Sequence, residues 1–463
     1  MLEAVSTVAP AGPFAGRRAP AEQEELVPIL PQQPKTIWDT GLDRQMVLAL
    51  LVKAIHHAGI GHLPILASKL RLSISVLREA FDILAAEQMA EIAKRGETDI
   101  DVQYRLTERG KAFAADCFAQ CGYVGAAPVT LDAFRAVLVR DAQRNAGLGC
   151  ITRADLATVL AEDGIDAGLR DQLGAALHSG RPLLLYGPSG AGKSWLARKL
   201  GRLLPGAVAV PSAILIGQRI VQFDDPLVHQ KPMVVQARQY EERNCDMRWR
   251  ICQRPVVSVG AELTRDMLDL RYDASSGTYH APPHFKASGG LFIVDDLGRQ
   301  QVSAAEVLNR FAGPLDSGTD RLAMQGGHAE TVPFPVMLLF ATNLVPAQLL
   351  DESLLRRLSY KIHVGAMGEA SYRALMRRQC VTLGIAHDES AVDYLVACLH
   401  AQSRRALLPS YPGELLSRIV DFANFAGTEP RLTVPALEQA WVSLFACADP
   451  ASPPVTPLPA PSC

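Results

Sequence analysis

Nowhere in the 463 residues does an apolar run reach the length that spans a bilayer, about 20 residues for a helix. The first residues lack a basic stretch followed by an apolar one, so no secretory leader is expected. Membrane insertion is not expected either, and the chain reads as cytoplasmic. An excess of one charge is missing too. Forty-six Lys and Arg stand against 48 Asp and Glu, a net charge of −2, which excludes a bulk electrostatic pull towards nucleic acid or a membrane surface. Cysteine is sparse and unpatterned: nine residues, an odd number, scattered along the chain. Neither Cys117 with Cys121 nor Cys245 with Cys252 has zinc-ribbon spacing, so the thiols read as small hydrophobes in a reducing compartment. No internal repeat is present. What the chain does have is 48% hydrophobic and 20% charged residues, enough for two or three domains, each with its own core.

The most informative stretch is Gly187-Pro188-Ser189-Gly190-Ala191-Gly192-Lys193-Ser194. It follows the apolar run Leu183–Tyr186 and opens into a helical pattern, Trp195–Leu200. Strand, Gly-rich loop and helix come in the order a phosphate site needs. Glycines let backbone N–H groups turn inward around a β-phosphate, and the helix N-terminus adds partial positive charge. Lys193 can reach β- and γ-oxygens, while Ser194 can place its hydroxyl on Mg²⁺. The pattern predicts a nucleoside triphosphate site.

Three further signals follow in order. Leu291–Val294 is a buried strand ending in Asp295 and Asp296, at the edge where α/β sheets bind ligands. Asp295 suits Mg²⁺ and Asp296 suits polarisation of a water. Val336–Ala341 is another buried strand, ending in Thr342 and Asn343; the amide can bond a γ-phosphate. Asp351–Val364 then places Arg356 and Arg357 at a helix end before a last short strand. Either arginine could reach the ATP of a neighbouring subunit, with Arg357 the first candidate; capping of the helix dipole is the plainer role.

The remaining chain falls into segments. Residues 1–38, rich in Ala, Pro and Glu, read as a disordered arm. Over 39–121, three helical patterns, two strand-like pieces around Met89–Ile92 and Val102–Leu106, and a helix capped by Thr107 predict a winged-helix-like domain. Its third helix carries Arg78 but also Glu79, Asp82 and Glu87, and the signs over 42–120 balance. A groove-reading helix needs a cation surplus, so protein docking is favoured and nucleic acid is not. Residues 122–168 read as a helical connector and 169–365 as the nucleotide-binding core, with an insertion at about 212–290. Asp224, Asp225 and His229 lie in that insertion. They read as a solvated loop with a packed histidine rather than as metal ligands. Four helical patterns over 366–447 form a lid before a Pro-rich tail at 448–463.

Taken together, the P-loop, the Asp295-Asp296 strand, Asn343, the paired arginines and the helical lid resemble the AAA+ ATPase superfamily over about 150–447. Several stretches are similar to a bacterial AAA+ group with an N-terminal winged helix, described as having chaperone activity associated with pilus assembly. They are Gly260–Thr264, Met267–Arg271, Lys286–Gln300 and Leu308–Arg310. The resemblance implies an α/β fold: a five-stranded parallel AAA+ core with a C-terminal α-helical lid, preceded by a winged-helix-like α+β domain. It implies an ATP hydrolase that uses Mg²⁺, works as a homo-oligomeric ring, most often a hexamer, and remodels a protein partner. A DNA-binding regulator and a nucleotide-gated switch with little hydrolysis are the competing classes. Two departures stand out. Asp296 replaces the Glu of the wider superfamily, which implies slow turnover. Gly413 stands where a lid arginine is expected, with Arg405 and Arg418 nearby but out of position.

Overall fold

The computed structural model describes residues 28–98, 100–145, 151–161, 163–232 and 244–445. The outer arm, 1–27, and the Pro-rich tail lie outside them.

The N-terminal module runs α1 (Arg44–Ala58), β1 (Gly61–His62), α2 (Leu63–Leu70), α3 (Ile74–Ala86), β2 (Ala90–Arg95), β3 (Val102–Leu106) and α4 (Glu108–Gln120). Its antiparallel sheet has the order β1-β3-β2. Asp43, Ser73 and Thr107 cap α1, α3 and α4 by accepting from Gln45, Val76 and Gly110 N–H groups. Each side chain satisfies a donor the helix would otherwise leave orphaned. Leu51, Ile55, Leu63, Leu77 and Leu84 fill the core, and Phe81 stacks on Tyr104. That core runs without a break into Ala213 and Ile220, so the module is fused to the strands that contain them.

Next come β4 (Val129–Thr130), α5 (Leu131–Asn145), α6 (Arg153–Val159), α7 (Ala167–Ser179), β5 (Leu183–Tyr186) and α8 (Lys193–Gly201). Strands β6 (Ala207–Pro211), β7 (Ala213–Ile216), β8 (Arg219–Gln222), β9 (Trp249–Gln253) and β10 (Val256–Val259) come after them, then β11 (Arg271–Asp273), β12 (Thr278–His280) and β13 (Leu291–Val294). The core closes with α9 (Ala304–Ser317), β14 (Thr319–Ala323), β15 (Ala329–Pro333), β16 (Met337–Thr342), α10 (Glu352–Arg357) and β17 (Tyr360–His363). Five of these strands form a parallel sheet in the order β10-β13-β16-β5-β17. The three central runs, β13, β16 and β5, are almost wholly buried, as expected for a sheet covered on both faces, while the edge strands β10 and β17 are partly exposed. The lid packs α11 (Glu369–Leu383), α12 (Glu389–Tyr394), a π-helical turn at Leu395–His400, α13 (Ser410–Ala426) and α14 (Val434–Phe445) around Tyr372, Met376, Leu416 and Trp441.

Three sequence expectations need correction. The disordered arm does not extend to residue 38: Gln32 bridges to Cys245, Asp246 N–H donates to Pro31, and Ile37 is buried. The excursion at 212–290 is not one insertion, because β10 inside it is the second core strand. The apolar run just before the excursion, Ala207–Pro211, does not join the parallel sheet and pairs antiparallel with β9. A separate five-stranded sheet, β11-β12-β8-β7-β4, holds the rest. Third, the Phe223–His229 loop is solvated only at its tip, Pro226 and Leu227, while its histidine is packed as expected. His229 is buried, accepting from Asp225 N–H at Nδ1 and donating to the Lys286 carbonyl. Asp224 pairs with Arg250 and Asp225 with Lys286, and no metal-binding cluster occurs among the described residues.

Two buried polar clusters hold these layers together. Arg248 makes a bidentate pair with Asp246 and also donates to the carbonyls of Thr40 and Pro128 at 3.0 and 2.9 Å. It thereby ties the N-terminal module to the start of β4. Beneath the parallel sheet, fully buried His284 donates from Nε2 to Asp320 at 2.8 Å, and Arg310 donates to the other carboxylate oxygen at 2.6 Å. Burial pulls the His284 imidazole below its ordinary value. Burial would raise Asp320, but the hydrogen bonds from His284 and Arg310 outweigh it and hold the carboxyl at about 2.

Removing one partner of a buried pair strands the other charge. Arg248→Met is expected to lower unfolding free energy by about 3–5 kcal/mol, measured by urea unfolding, with part of the loss recovered in the Arg248→Met, Asp246→Leu double variant. For the second cluster, both folded-state values lie below the unfolded ones. The unfolded chain therefore takes up protons first: at His284 below about pH 6.5 and at Asp320 below about pH 4. Stability is expected to fall across both steps on acidification, and Asp320→Asn should flatten the lower one. An unchanged slope in that variant would contradict the assignment.

Candidate nucleotide-binding site

Strand β5 sits inside the parallel sheet between β16 and β17, and its C-terminal end delivers the loop 187–192 to the sheet edge. Glycine is needed there for two separate reasons. Gly190 and Gly192 have φ of +84° and +85°, the left-handed region that a Cβ disfavours. Gly187 has φ +148°, and a Cβ on it would fall 2.1 Å from the Val364 carbonyl oxygen. The chain after β17 therefore presses directly on the loop. Helix α8 begins at Lys193, directly after the loop, with Gly192 as its N-cap and no side chain capping it, so its N-terminus can receive an anion.

Lys193 is 5% exposed. Its Nζ donates to Gly187 O at 2.9 Å, to Pro188 O at 2.8 Å and to Asn343 Oδ1 at 2.6 Å. Burial pulls its ammonium below the ordinary lysine value, opposed by the Asp296 and Asp295 carboxylates. Asn343 then continues the chain of bonds: its Nδ2 donates to Asp296 Oδ1 at 2.8 Å. Beside this, the Ser194 hydroxyl donates to Asp295 Oδ1 at 2.9 Å. Hydroxyl and carboxylate oxygens so placed suit a hard divalent cation such as Mg²⁺. The structure thus brings Lys193, Ser194, Asp295, Asp296 and Asn343 into one cluster. Pro188, Ser189 and Ala191 complete the loop.

The paired arginines lie apart from this cluster, at the end of α10. Arg357 sits 3.6 Å from the Asp316 carboxylate. Arg356 is exposed, and no ion pair of its side chain occurs among the described residues. The expectation placed Arg357 first; the contact with Asp316 leaves Arg356 as the arginine of the two without an ion pair among the described residues.

The lid reaches the loop directly. Ser410 N–H donates to Gly190 O at 3.2 Å, and Pro409 lies against Gly192. Gly413, one turn into α13, faces the Gln379 side chain. Arg418 bonds back to Glu414 O, and Arg405 stacks over Phe445.

Sequence reasoning missed two supporting residues. Thr342 is buried and donates to Leu297 O at 2.7 Å. Gln300 donates to Asp295 O at 2.8 Å. Gln300 lies within the stretch Lys286–Gln300 that carries the resemblance, which was the available signal; for Thr342 the signal was a hydroxyl at a strand's buried end.

A family model described as a domain of unknown function (DUF8689) matches residues 368–443, the helical lid. No curated protein matches the chain. Among solved structures, the RuvB Holliday junction branch migration motor of Thermotoga maritima is 14% identical, with a TM-score of 0.36 over 61% of this chain and 70% of that one. NtrX from Brucella abortus in complex with ADP is 17% identical, with a TM-score of 0.39 over 74% of this chain and 68% of that one. The same protein in complex with ATP gives 16% and 0.29, over 68% and 76%. These likenesses are distant, and the fold stands on the chain's own geometry. Numbered by order in the chain, the parallel strands run 2-3-4-1-5, with the P-loop after the first and the acidic pair after the third. With the helical lid, this is the α/β P-loop fold that the resemblance to AAA+ ATPases implies.

Proposed function

We propose that this protein is a AAA+ ATPase that binds ATP with Mg²⁺ and hydrolyses it within a homo-oligomeric ring to remodel a protein partner. The observation that carries the reading is the bond chain Lys193–Asn343–Asp296 at the mouth of the P-loop. In this reading the loop N–H groups hold the β-phosphate and Lys193 exchanges Asn343 for phosphate oxygen. Asn343 then orients the water. As the water oxygen bonds to the γ-phosphorus, the bond to the bridging oxygen breaks and Asp296 accepts the proton, giving ADP and phosphate. Mg²⁺ held by Ser194 and Asp295 would neutralise charge on the β- and γ-oxygens.

For the N-terminal module, the winged-helix-like reading is supported by its three helices and the β1-β3-β2 sheet. Docking of protein rather than DNA is supported by what covers α3. Ser73 donates to Pro34 O at 2.6 Å and Ile37 N–H donates to Glu79 at 2.7 Å. The chain 34–37 thus crosses the end of the helix that would enter a groove. Arg71, at the turn before α3, is engaged by Ser212. One observation favours a second reading, a nucleotide-gated switch: the short Asp296 carboxylate is already engaged by Asn343. Steady-state turnover of the full chain separates the two, since a switch binds ATP without measurable phosphate release.

If Arg356 completes the site of the next subunit, Arg356→Ala cuts turnover by about 10³-fold with ATP affinity retained. Asp296→Asn does the same from within its own subunit. Mixing the two variants should restore activity, because an intact Asp296 then meets an intact Arg356. Phosphate release across mixing ratios measures this; no recovery in mixed rings confirmed by native mass spectrometry rejects the trans role and returns attention to Arg357.

A further inference from the structure

Asp296 has a backbone φ of +52°. A residue with a Cβ holds that left-handed conformation only where its surroundings over-determine it. Within the turn, Arg299 N–H donates to Asp296 O and Asp296 N–H donates to Asp295 Oδ1, both at 3.0 Å, and Gln300 supplies further ties. Its Nε2 donates to Asp295 O at 2.8 Å, to Asp296 O at 3.2 Å and to Gly260 O at 3.4 Å. Its Oε1 accepts from Gly298 N–H at 2.8 Å. One side chain therefore spans the ends of β10 and β13 and closes the turn after Asp296. The other side of the turn is fixed to β16, where Leu297 N–H donates to Ala341 O at 2.7 Å and Thr342 donates back to Leu297 O.

We infer that Gln300 is a positioning residue: it holds Asp296 in the left-handed turn that aims its carboxylate at Asn343, and so sets the rate of the hydrolytic step. The inference rests on the hydrolytic reading of the site. Gly260 O also accepts from Leu263 N–H at 3.2 Å and Asp296 O from Arg299 N–H at 3.0 Å. The Gln300 carboxamide adds to these bonds and serves Asp295 O, where neither a carboxylate nor an apolar side chain can donate. The hydrogen bonds of the Gln300 side chain go to this turn and to Gly260, not to the P-loop or Lys193. Its loss therefore displaces Asp296 without removing a phosphate contact. The short Asp in place of Glu fits the same geometry, since Asp and Asn tolerate left-handed backbone better than longer side chains do.

The test uses the full chain with Gln300→Glu, which sets a carboxylate against the carbonyls, and Gln300→Met, which keeps length without a donor. Steady-state ATP hydrolysis is expected to show kcat down by about 10²-fold, the cost of a small misplacement at a reacting centre. KM and the calorimetric dissociation constant for ATP stay near wild type. A merely structural role would move affinity and kcat together, and that result overturns the inference, as does wild-type kcat in both variants. Hydrogen exchange of the segment 295–300 supplies a readout free of activity. Faster exchange confined to that segment in Gln300→Met is expected. Unchanged exchange overturns the inference even if the wild-type chain proves not to hydrolyse ATP, an outcome that sinks the hydrolytic reading separately.

Discussion

The parallel registers of three strands govern the site. Val294 of β13 pairs with Phe340 of β16, and Thr342 of β16 pairs with Tyr186 of β5. Those pairings carry Asp295, Asn343 and Gly187 to one edge of the sheet, although they are more than 40 residues apart in sequence. Side chains alternate with period two along a strand, so a slip of one residue would turn Asn343 away from Lys193 and Asp296. The burial of these strands on both faces makes such a slip expensive, because Leu339, Phe340, Phe292 and Ile293 all fill the flanking cores.

Once the edge is fixed, the loops beyond it have little freedom. Gly187 is pressed by Val364, Gly190 and Gly192 are met by the lid, and the turn at Asp296 is clamped between Gln300 and Thr342. The lid and the sheet thus share the P-loop as a common surface. In the proposed reading, a bound phosphate would change the partners of Lys193 first, and through Asn343 those of Asp296. Hydrogen bonds already in place give that coupling a physical route. The N-terminal module joins the same body through the Arg248–Asp246 pair and a core continuous with β7 and β8, so it is not an independent unit on a loose tether.

Much of this was legible in the sequence where chemistry and local pattern coincide. The Gly-rich loop lies between an apolar strand and a helix, and the two later strands each end in polar residues. These signals are short-range, and they name Lys193, Ser194, Asp295, Asp296 and Asn343. What the sequence hid depends on pairing at a distance. Ala207–Pro211 has the composition of a parallel core strand, and only its antiparallel partner β9 excludes it. Arg356 and Arg357 are adjacent and alike until Asp316, 41 residues from Arg357, engages one of them. Gln300 carries no signal of its own beyond the stretch it sits in, because its role comes from carbonyls at the ends of two different strands. Residues 28–37 look unstructured by composition, yet they pack because Cys245 and Glu79 offer partners to their backbone.

The central claim is that the Lys193 cluster is a triphosphate site, and calorimetric titration of the full chain with a non-hydrolysable ATP analogue in Mg²⁺ tests it most directly. The account predicts saturable binding at one nucleotide per P-loop, abolished in Lys193→Ala while thermal unfolding of that variant stays cooperative. Equal affinity in wild type and Lys193→Ala, or no binding by a folded wild-type chain, would contradict it.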